Sequence, residues 1–318
     1  MISATAGPEA VTTTDGELQS RASRGYWNDV LRRLRRNRIA SVCGVIQILL
    51  ILLAIFAYPM VHFVLHQDPY AQNLEQSLVG VGQEGHLLGT DLLGRDIAAR
   101  LIYGAQVSLL VAYLTVALQL LIGATMGMLA GYYGGLVDAI LMRVVDIVLS
   151  IPSIFLLILI GSLSPRIGPV TLTTTGPVPL AFVIALISWG GVSRLVRSEV
   201  LSTRERDFIL ATRSLGARDI RIMFRHVLPN VVSVMVVAAS LSVGNVILVE
   251  AALDYIGLGI GPPTASWGNM LSNAQEYFYH SVSVVILPGA AIFITVLAMN
   301  LFGNGLRDAI DPRLRRFR

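Results

Sequence analysis

The chain has 318 residues, 54% of them hydrophobic and only 14% charged, and its mean hydropathy is +0.68, which excludes an ordinary soluble domain and indicates a polytopic membrane protein. All 24 basic residues are arginine, so a Walker-type phosphate loop and Schiff-base chemistry are excluded for want of lysine. The net charge of +4 does not argue for nucleic acid, because the arginines cluster beside apolar runs, as residues that set membrane topology do.

Residues 1–38 are predicted to form a cytoplasmic N-terminal tail. The first 25 or so lack periodic apolar positions and are expected to be disordered. Trp27, Val30, Leu31 and Leu34 then alternate with arginines in a pattern typical of an amphipathic helix on an anionic membrane surface. The excess of arginine should hold this end of the chain in the cytoplasm.

Residues 39–103 are predicted to hold the first transmembrane helix and an extracytoplasmic segment. Ile39–Leu65 has no Asp, Glu, Lys or Arg and is long enough to cross the hydrocarbon core. The outer segment contains HLLGTDLLGRD, whose Gly89, Asp91, Gly94 and Asp96 are predicted to make turns, with direct contact to a solute as the alternative.

Residues 104–306 are predicted to be the core of a six-span domain, and 307–318 a basic cytoplasmic tail. The remaining spans are placed at about 105–131, 136–162, 180–196, 231–253 and 283–302. On the second span Gly123, Gly127 and Gly131 share one face, where a neighbouring helix should approach closely. The glycine-rich and proline-rich segment 254–271 is predicted to be a partly re-entrant outer connection.

Polar residues inside the predicted spans suggest pairing and a translocation path. Pro152 should kink the third span, where Arg143 and Asp146 are predicted to form an ion pair. Ser150 either satisfies backbone groups freed by the kink or faces a polar path, and Asn245 and Glu250 of the fifth span are expected to border that path.

The polar stretch from Arg204 to Pro229 is predicted to be a helix, a tight turn and a second helix. Apolar residues fall at helical spacing on both sides of Gly216: Phe208, Ala211, Thr212 and Leu215 before it, and Ile220, Met223, Phe224 and Val227 after it. Gly216 should stop the first helix and Asp219 should cap the second, while Arg218, Arg221 and Arg225 lie on its opposite face. Pro229 is predicted to break the chain before the next span.

This stretch resembles the signature loop of the membrane subunits of bacterial binding-protein-dependent ABC importers, whose pattern is E-A-A, three residues, G, nine residues, I-x-L-P. Here Leu210, Ala211 and Thr212 stand at the E-A-A positions, Gly216 at the glycine and His226–Pro229 at the end. Leu210, Thr212 and His226 depart from the pattern. Because HLLGTDLLGRD and residues 254–271 also resemble the peptide-importer branch, the chain is most similar to the C-type permease of dipeptide and oligopeptide importers.

The resemblance implies an all-α, multi-pass protein of the bacterial cell membrane with six spans, both termini in the cytoplasm and no covalent chemistry of its own. It implies three kinds of partner besides the lipid bilayer: a second homologous permease, two ATPase domains, separate or fused, that bind ATP and Mg, and an extracytoplasmic peptide-binding protein. The residues expected to dock on the ATPase are Phe208, Leu210, Ala211, Thr212, Leu215, Gly216, Ala217 and Leu228. Import of nickel or another small solute is the alternative, followed by an ATPase-independent channel or secondary transporter.

Overall fold

A computed structural model describes residues 26–167, 170–272, 278–279 and 281–310. The helices are α1 (Tyr26–Arg36), α2 (Arg38–Ile55), α3 (Ile97–Tyr133), α4 (Gly135–Ser150), α5 (Ser153–Leu163), α6 (Pro177–Arg204), α7 (Asp207–Ser214), α8 (Asp219–Ile222), α9 (Leu228–Tyr255), α10 (Trp267–Met270) and α11 (Val282–Ile310). The predicted disorder before Tyr26 and the basic tail from residue 311 onward lie outside the described residues.

Short elements complete the described part of the chain. These are a helical turn (Ala57–Pro59), two π-helical turns (Met60–Leu65 and Met223–Val227), a 3-10 turn (Leu74–Gln76) and a small antiparallel hairpin of β1 (Arg166–Ile167) with β2 (Val170–Thr171). Five helical segments are long and apolar enough to cross a membrane, and α4 with α5 makes a sixth if this bent pair is counted as one span. The prediction of a helical membrane protein is therefore confirmed.

The ends of the first two spans differ from the predicted ones. The α2 helix stops at Ile55, ten residues early, because Pro59 has no N–H to donate to the Ile55 carbonyl. The chain continues as a short helical turn and a π-helical turn up to Leu65. The α3 helix instead starts early, at Ile97, because the Asp96 carboxylate accepts a hydrogen bond of 2.6 Å from the Ala99 N–H and caps the first turn.

The third predicted span is broken rather than kinked. Its two helices, α4 and α5, meet at 75° across Ile151 and Pro152. Ile151 is extended, with ψ of 126°, because a residue that precedes proline is sterically excluded from the helical region. Pro152 therefore bends the span at the predicted position, but it separates the span into two helices instead of kinking one.

The predicted ion pair between Arg143 and Asp146 is wrong. Asp146 accepts a hydrogen bond of 2.6 Å from Arg194 of α6, and Asp138 of the same helix pairs with Arg197. Both acids of α4 face α6, so pairing between helices replaces pairing within one helix.

The helices α3 and α6 pack along an extensive seam, where the predicted glycine face is confirmed. A Cβ atom added to Gly123 would lie 2.8 Å from the Val192 side chain, and one added to Gly131 would lie 2.8 Å from the Val200 side chain. At Gly127 it would collide with the backbone oxygen of Ser193. The missing side chains are what allow the two helices to approach so closely.

The first and last described helices meet at one end of the bundle. Val30 of α1 is buried in a small apolar cluster with Leu306 and Ala309 of α11 and with Val237, which lies in the first half of α9. Since α8 and α9 form one helical segment, this cluster lies at the end of the bundle from which the hairpin of α7 and α8 projects.

Candidate functional site

The hairpin of α7 and α8 turns at Gly216, as the sequence predicts. Gly216 has φ of +80°, a left-handed conformation that costs a residue with a Cβ atom free energy. Its N–H donates to the Arg213 carbonyl at 2.9 Å, and the next N–H, of Ala217, donates to Thr212 at 3.3 Å. A Cβ atom at Gly216 would meet no atom within 4 Å, so the requirement for glycine is conformational and not steric.

The two faces of the hairpin differ sharply in exposure. Ile209, Ile222, Met223 and Val227 are buried against the ends of α3 and α6. The opposite face exposes five large apolar side chains: Phe208 (43%), Leu210 (50%), Leu215 (88%), Ile220 (68%) and Phe224 (58%). We call these five residues the exposed apolar face. Ala211 is also exposed, and Thr212, Ala217 and Leu228 are half-buried. The anchoring residues Ile209 and Ile222 are not among the predicted stripe residues, and each lies next to one of them.

Polar contacts fix the hairpin to the end of α3. The Tyr132 hydroxyl donates to Asp219 Oδ1 at 2.6 Å and accepts from Arg213 Nη2 at 3.2 Å. The bond to Tyr132 also raises the pKa of the Arg213 guanidinium above its ordinary value. Arg204 donates to the Gly131 carbonyl at 2.9 Å.

The prediction that Asp219 caps α8 is wrong, because Asp219 is the first residue of that helix and its carboxylate is bound to Tyr132 instead.

The predicted break at Pro229 is also wrong, since the chain is helical without interruption from Asp219 to Tyr255. A π-helical turn at Met223–Val227 precedes the proline and shifts the hydrogen-bond register where Pro229 lacks a donor. The side-chain amide of Asn230 donates to the His226 carbonyl at 2.7 Å and satisfies it. The second helix of the hairpin, α8, and the fifth span, α9, therefore form one continuous helix.

The three residues predicted to border a path lie in different environments. Asn245 is exposed and lines a small cavity of about 50 Å³ between α5, α6 and α9. Ser150 is exposed at the end of α4, where its hydroxyl donates to the Ile147 carbonyl at 2.7 Å. Glu250 is completely buried, and its Oε1 accepts from Ser108 at 2.9 Å while its Oε2 has no hydrogen-bond partner among the described residues.

Asp254 organises the outer connection, a role that sequence reasoning missed. Its carboxylate accepts from the Ile260 N–H and from the Ser266 hydroxyl, each at 2.5 Å. The neighbouring Trp267 is buried, and its indole N–H donates to the Leu101 carbonyl of α3 at 3.0 Å. Residues 256–271 are thereby folded back onto the outer ends of α3 and α9.

The outer segment before α3 is a set of tight turns, which confirms that interpretation. Gly89 and Gly94 have φ of +83° and +69°, and Asp91 Oδ1 accepts from the N–H groups of Leu93 and Arg95. His86 Nδ1 lies 2.8 Å from Asp96 Oδ2, which links this segment to the cap of α3.

The sequence matches two family models. One, described as binding-protein-dependent transport system inner membrane component, covers residues 123–316, and the other, described as N-terminal TM domain of oligopeptide transport permease C, covers residues 25–79. The chain belongs to the binding-protein-dependent transport system inner membrane component family. It is thus a permease component of the bacterial cell membrane, and such a transport system also needs ATPase and substrate-binding partners.

Relatives and a solved structure agree with this assignment. The chain is 39% identical to the dipeptide permease DppC of Alkalihalophilus pseudofirmus, over 91% of this chain and 90% of the relative. It is 35% identical to the oligopeptide permease OppC of Bacillus subtilis, over 97% of both chains, and 36% identical to the glutathione permease GsiD of Pectobacterium atrosepticum, over 96% and 98%. A chain of the inward-facing MetNI methionine ABC transporter has a similar fold, with a TM-score of 0.50 at 19% identity over 68% of this chain and 98% of that one.

Proposed function

We propose that this chain, with a second homologous permease, forms the translocation path for dipeptides and oligopeptides that an extracytoplasmic binding protein delivers. The proposal is supported by relatives at 35–39% identity that are named for dipeptide, oligopeptide and glutathione transport. Glutathione is itself a tripeptide, so all three solutes carry amide bonds and a free carboxylate. ATP and Mg belong to the two ATPase domains, and this chain performs no covalent step.

The observation that carries the coupling role is the exposed apolar face of the hairpin. An apolar patch in a polar loop marks a protein interface, and here the opposite face of the hairpin is held firmly against α3 and α6. We propose that the ATPase contacts this face, with Phe208, Leu210, Ala211, Thr212, Leu215, Gly216, Ala217 and Leu228 forming or supporting the interface. Closure of the ATPase dimer then pulls the hairpin, and the attached helices change between inward-open and outward-open arrangements.

This role requires the hairpin to lie in the cytoplasm, together with both ends of the chain. Two observations support that orientation: the arginines of α1 follow the positive-inside rule, and α1 packs against the end of α11 at the hairpin end of the bundle. Six spans return the chain to the side from which it started.

We further propose that Ser150 and Asn245, both exposed, face the path. Glu250 is buried among this chain's own residues, so its side chain does not line the path but stabilises the helix that does. Its bond to Ser108 joins α9 to α3 and so fixes the helix that presents Asn245.

The test is uptake of labelled di- to pentapeptides, with nickel in parallel, by cells that lack this chain and by the complemented strain. Restored peptide uptake that stops when ATP is depleted supports the proposal. Restored nickel uptake alone would replace the solute and keep the mechanism. Uptake that continues without ATP, from a chain that does not co-purify with an ATPase, would contradict the importer mechanism itself.

A further inference from the structure

The outer end of the bundle contains a cavity of about 430 Å³, which no part of the coupling role uses. It lies between the segment before α3, the connection between α9 and α11, and the start of α11. Its walls combine polar and apolar side chains: Gln72, Asp91, Leu93, Arg95, Ile97, Arg100, Pro262, Pro263, Asn269, Met270, Ser272 and Val284. This volume falls within the range of small-molecule sites, about 300–1,000 Å³.

The charges that line this cavity do not balance. Asp91 is the one acid among the described lining residues, and it faces the two arginines Arg95 and Arg100. Arg95 Nε donates to Asp91 Oδ2 at 2.7 Å, and Asp91 Oδ1 already accepts two backbone N–H groups. The carboxylate is therefore largely occupied by Arg95 and by its own turn.

Within the described residues, the charge of Arg100 has little compensation. Its side chain is 2% exposed, its Nε lies 3.7 Å from Asp91 Oδ2, and its single hydrogen bond within the described residues is from Nη1 to the Pro69 carbonyl at 3.3 Å. A guanidinium has five N–H donors, and a buried cation normally has a paired anion. The described lining thus carries one net positive charge, and Arg100 has unused donors there.

We propose that this cavity binds a carboxylate, namely the C-terminal carboxylate of a short peptide that enters from the outer side, with Arg100 and Arg95 as its charged partners. Guanidinium groups bind carboxylates through paired hydrogen bonds. Asn269, Gln72 and Ser272 supply polar groups for peptide amides, while Met270 and Val284 offer an apolar wall. The inference deepens the proposed function and rests on its assignment of peptides as the solute.

The test measures binding to the complete purified complex of both permeases and the ATPase subunits, in detergent and without the binding protein. The probes are N-acetyl-dialanine with a free carboxylate and the same compound as its C-terminal amide, which differ in this one group. The wild-type complex should bind the free acid roughly tenfold to a hundredfold more tightly than the amide, as expected for charge-assisted hydrogen bonds.

Arg100→Gln and Arg95→Gln should each abolish this preference, because either change brings the charge of the lining to zero. Arg194→Gln is the matched control, since Arg194 also pairs with an aspartate but lies on the α4–α6 surface. Arg95 is the more exposed of the two lining arginines, so Arg95→Gln provides a folded variant if Arg100→Gln does not assemble.

Equal affinity of the wild-type complex for acid and amide would overturn the inference, as would a preference that survives both substitutions. Addition of the binding protein separates a second source of carboxylate: if the arginine variants weaken its docking but leave acid binding unchanged, the cavity serves an acidic side chain of that protein and the inference fails. Failure of the proposed function is detected by a different experiment, because the complemented strain would then take up no peptide. The affinities of the purified complex for the acid and the amide are measured independently of that uptake.

Discussion

The two ends of this bundle treat apolar and polar side chains in opposite ways. The hairpin keeps five large apolar side chains in the open, with Leu215 at 88% exposure. The outer end buries polar groups: Glu250, Asp254, Ser266 and Arg100 are each 2% exposed or less.

The difference shows how each end uses its side chains. At the outer end Asp254 is bonded within the chain, to Ile260 and Ser266. On the hairpin, one apolar face is covered by α3 and α6 and the other is exposed. Substitution of Asp254 should therefore change folding, and substitutions on the exposed apolar face should change association.

Asp254→Ala should have the largest effect on stability. It removes an acceptor that binds two donors, and each hydrogen bond to a charged group is worth about 1.5–3 kcal/mol, so we expect a loss of about 3 kcal/mol or more. The measurement is thermal unfolding of the purified complex in detergent. Glu75→Ala, at an exposed residue of the outer segment, is the control; equal melting of both variants would show that the outer end is not held by Asp254.

Gly216→Val should uncouple ATP hydrolysis from uptake while membrane insertion stays normal. A β-branched residue at φ of +80° costs about 1–2 kcal/mol, which the turn relieves by changing its conformation. The matched variant is Gly216→Asn, because asparagine adopts the left-handed region far more readily. Uptake and ATPase rates are measured together; if valine transports as well as asparagine, the turn geometry is not needed for coupling.

Leu215→Ser should weaken binding of the ATPase roughly tenfold or more, since burial of a leucine side chain contributes about 1.5–3 kcal/mol. The stability of the membrane chain itself should change by less than about 0.5 kcal/mol, because Leu215 is exposed. Leu180→Ala in the buried core should do the reverse and lower stability by about 2–5 kcal/mol. ATPase co-purification and melting temperature are measured on both variants. Leu215→Ser should lower only the first, and Leu180→Ala should lower the second.

Arg194→Gln should have the smallest effect, about 0.2–1 kcal/mol, since its pair with Asp146 is half exposed. Arg197→Gln should cost more, because Arg197 and Asp138 are 32% and 19% exposed. The melting temperatures of both variants are measured at low and high salt. Added salt should abolish the loss of stability caused by Arg194→Gln at a lower concentration than that caused by Arg197→Gln, because the more exposed pair is screened more strongly. A larger loss of stability from Arg194→Gln than from Arg197→Gln would mean that the strength of these ion pairs does not follow their exposure.

Features that depend on a single residue or on regular spacing were predictable from the sequence. Gly216 was one, because few other residues adopt its backbone conformation, and the four-residue spacing of Gly123, Gly127 and Gly131 was another. Pro152 was located correctly, although a sequence contains nothing that fixes a bend of 75°.

Features that depend on neighbours distant in the chain were not predictable. Asp146 had a candidate partner three residues away, yet it pairs with Arg194, 48 residues on. Pro229 behaves as a helix breaker in isolation, and only the π-helical turn and Asn230 let the helix continue. The partners of Asp254 and the burial of Arg100 likewise arise where separate segments meet.

The uninterrupted helix from Asp219 to Tyr255 has a thermodynamic consequence. At about 1.5 Å per residue its 37 residues reach about 55 Å, and they join the Tyr132 contact of the hairpin to the Asp254 contact of the outer connection. Under the proposed function, a shift of one end of this helix would be transmitted to the other, and a solute bound outside and an ATPase bound inside would then alter each other's affinity by the same factor.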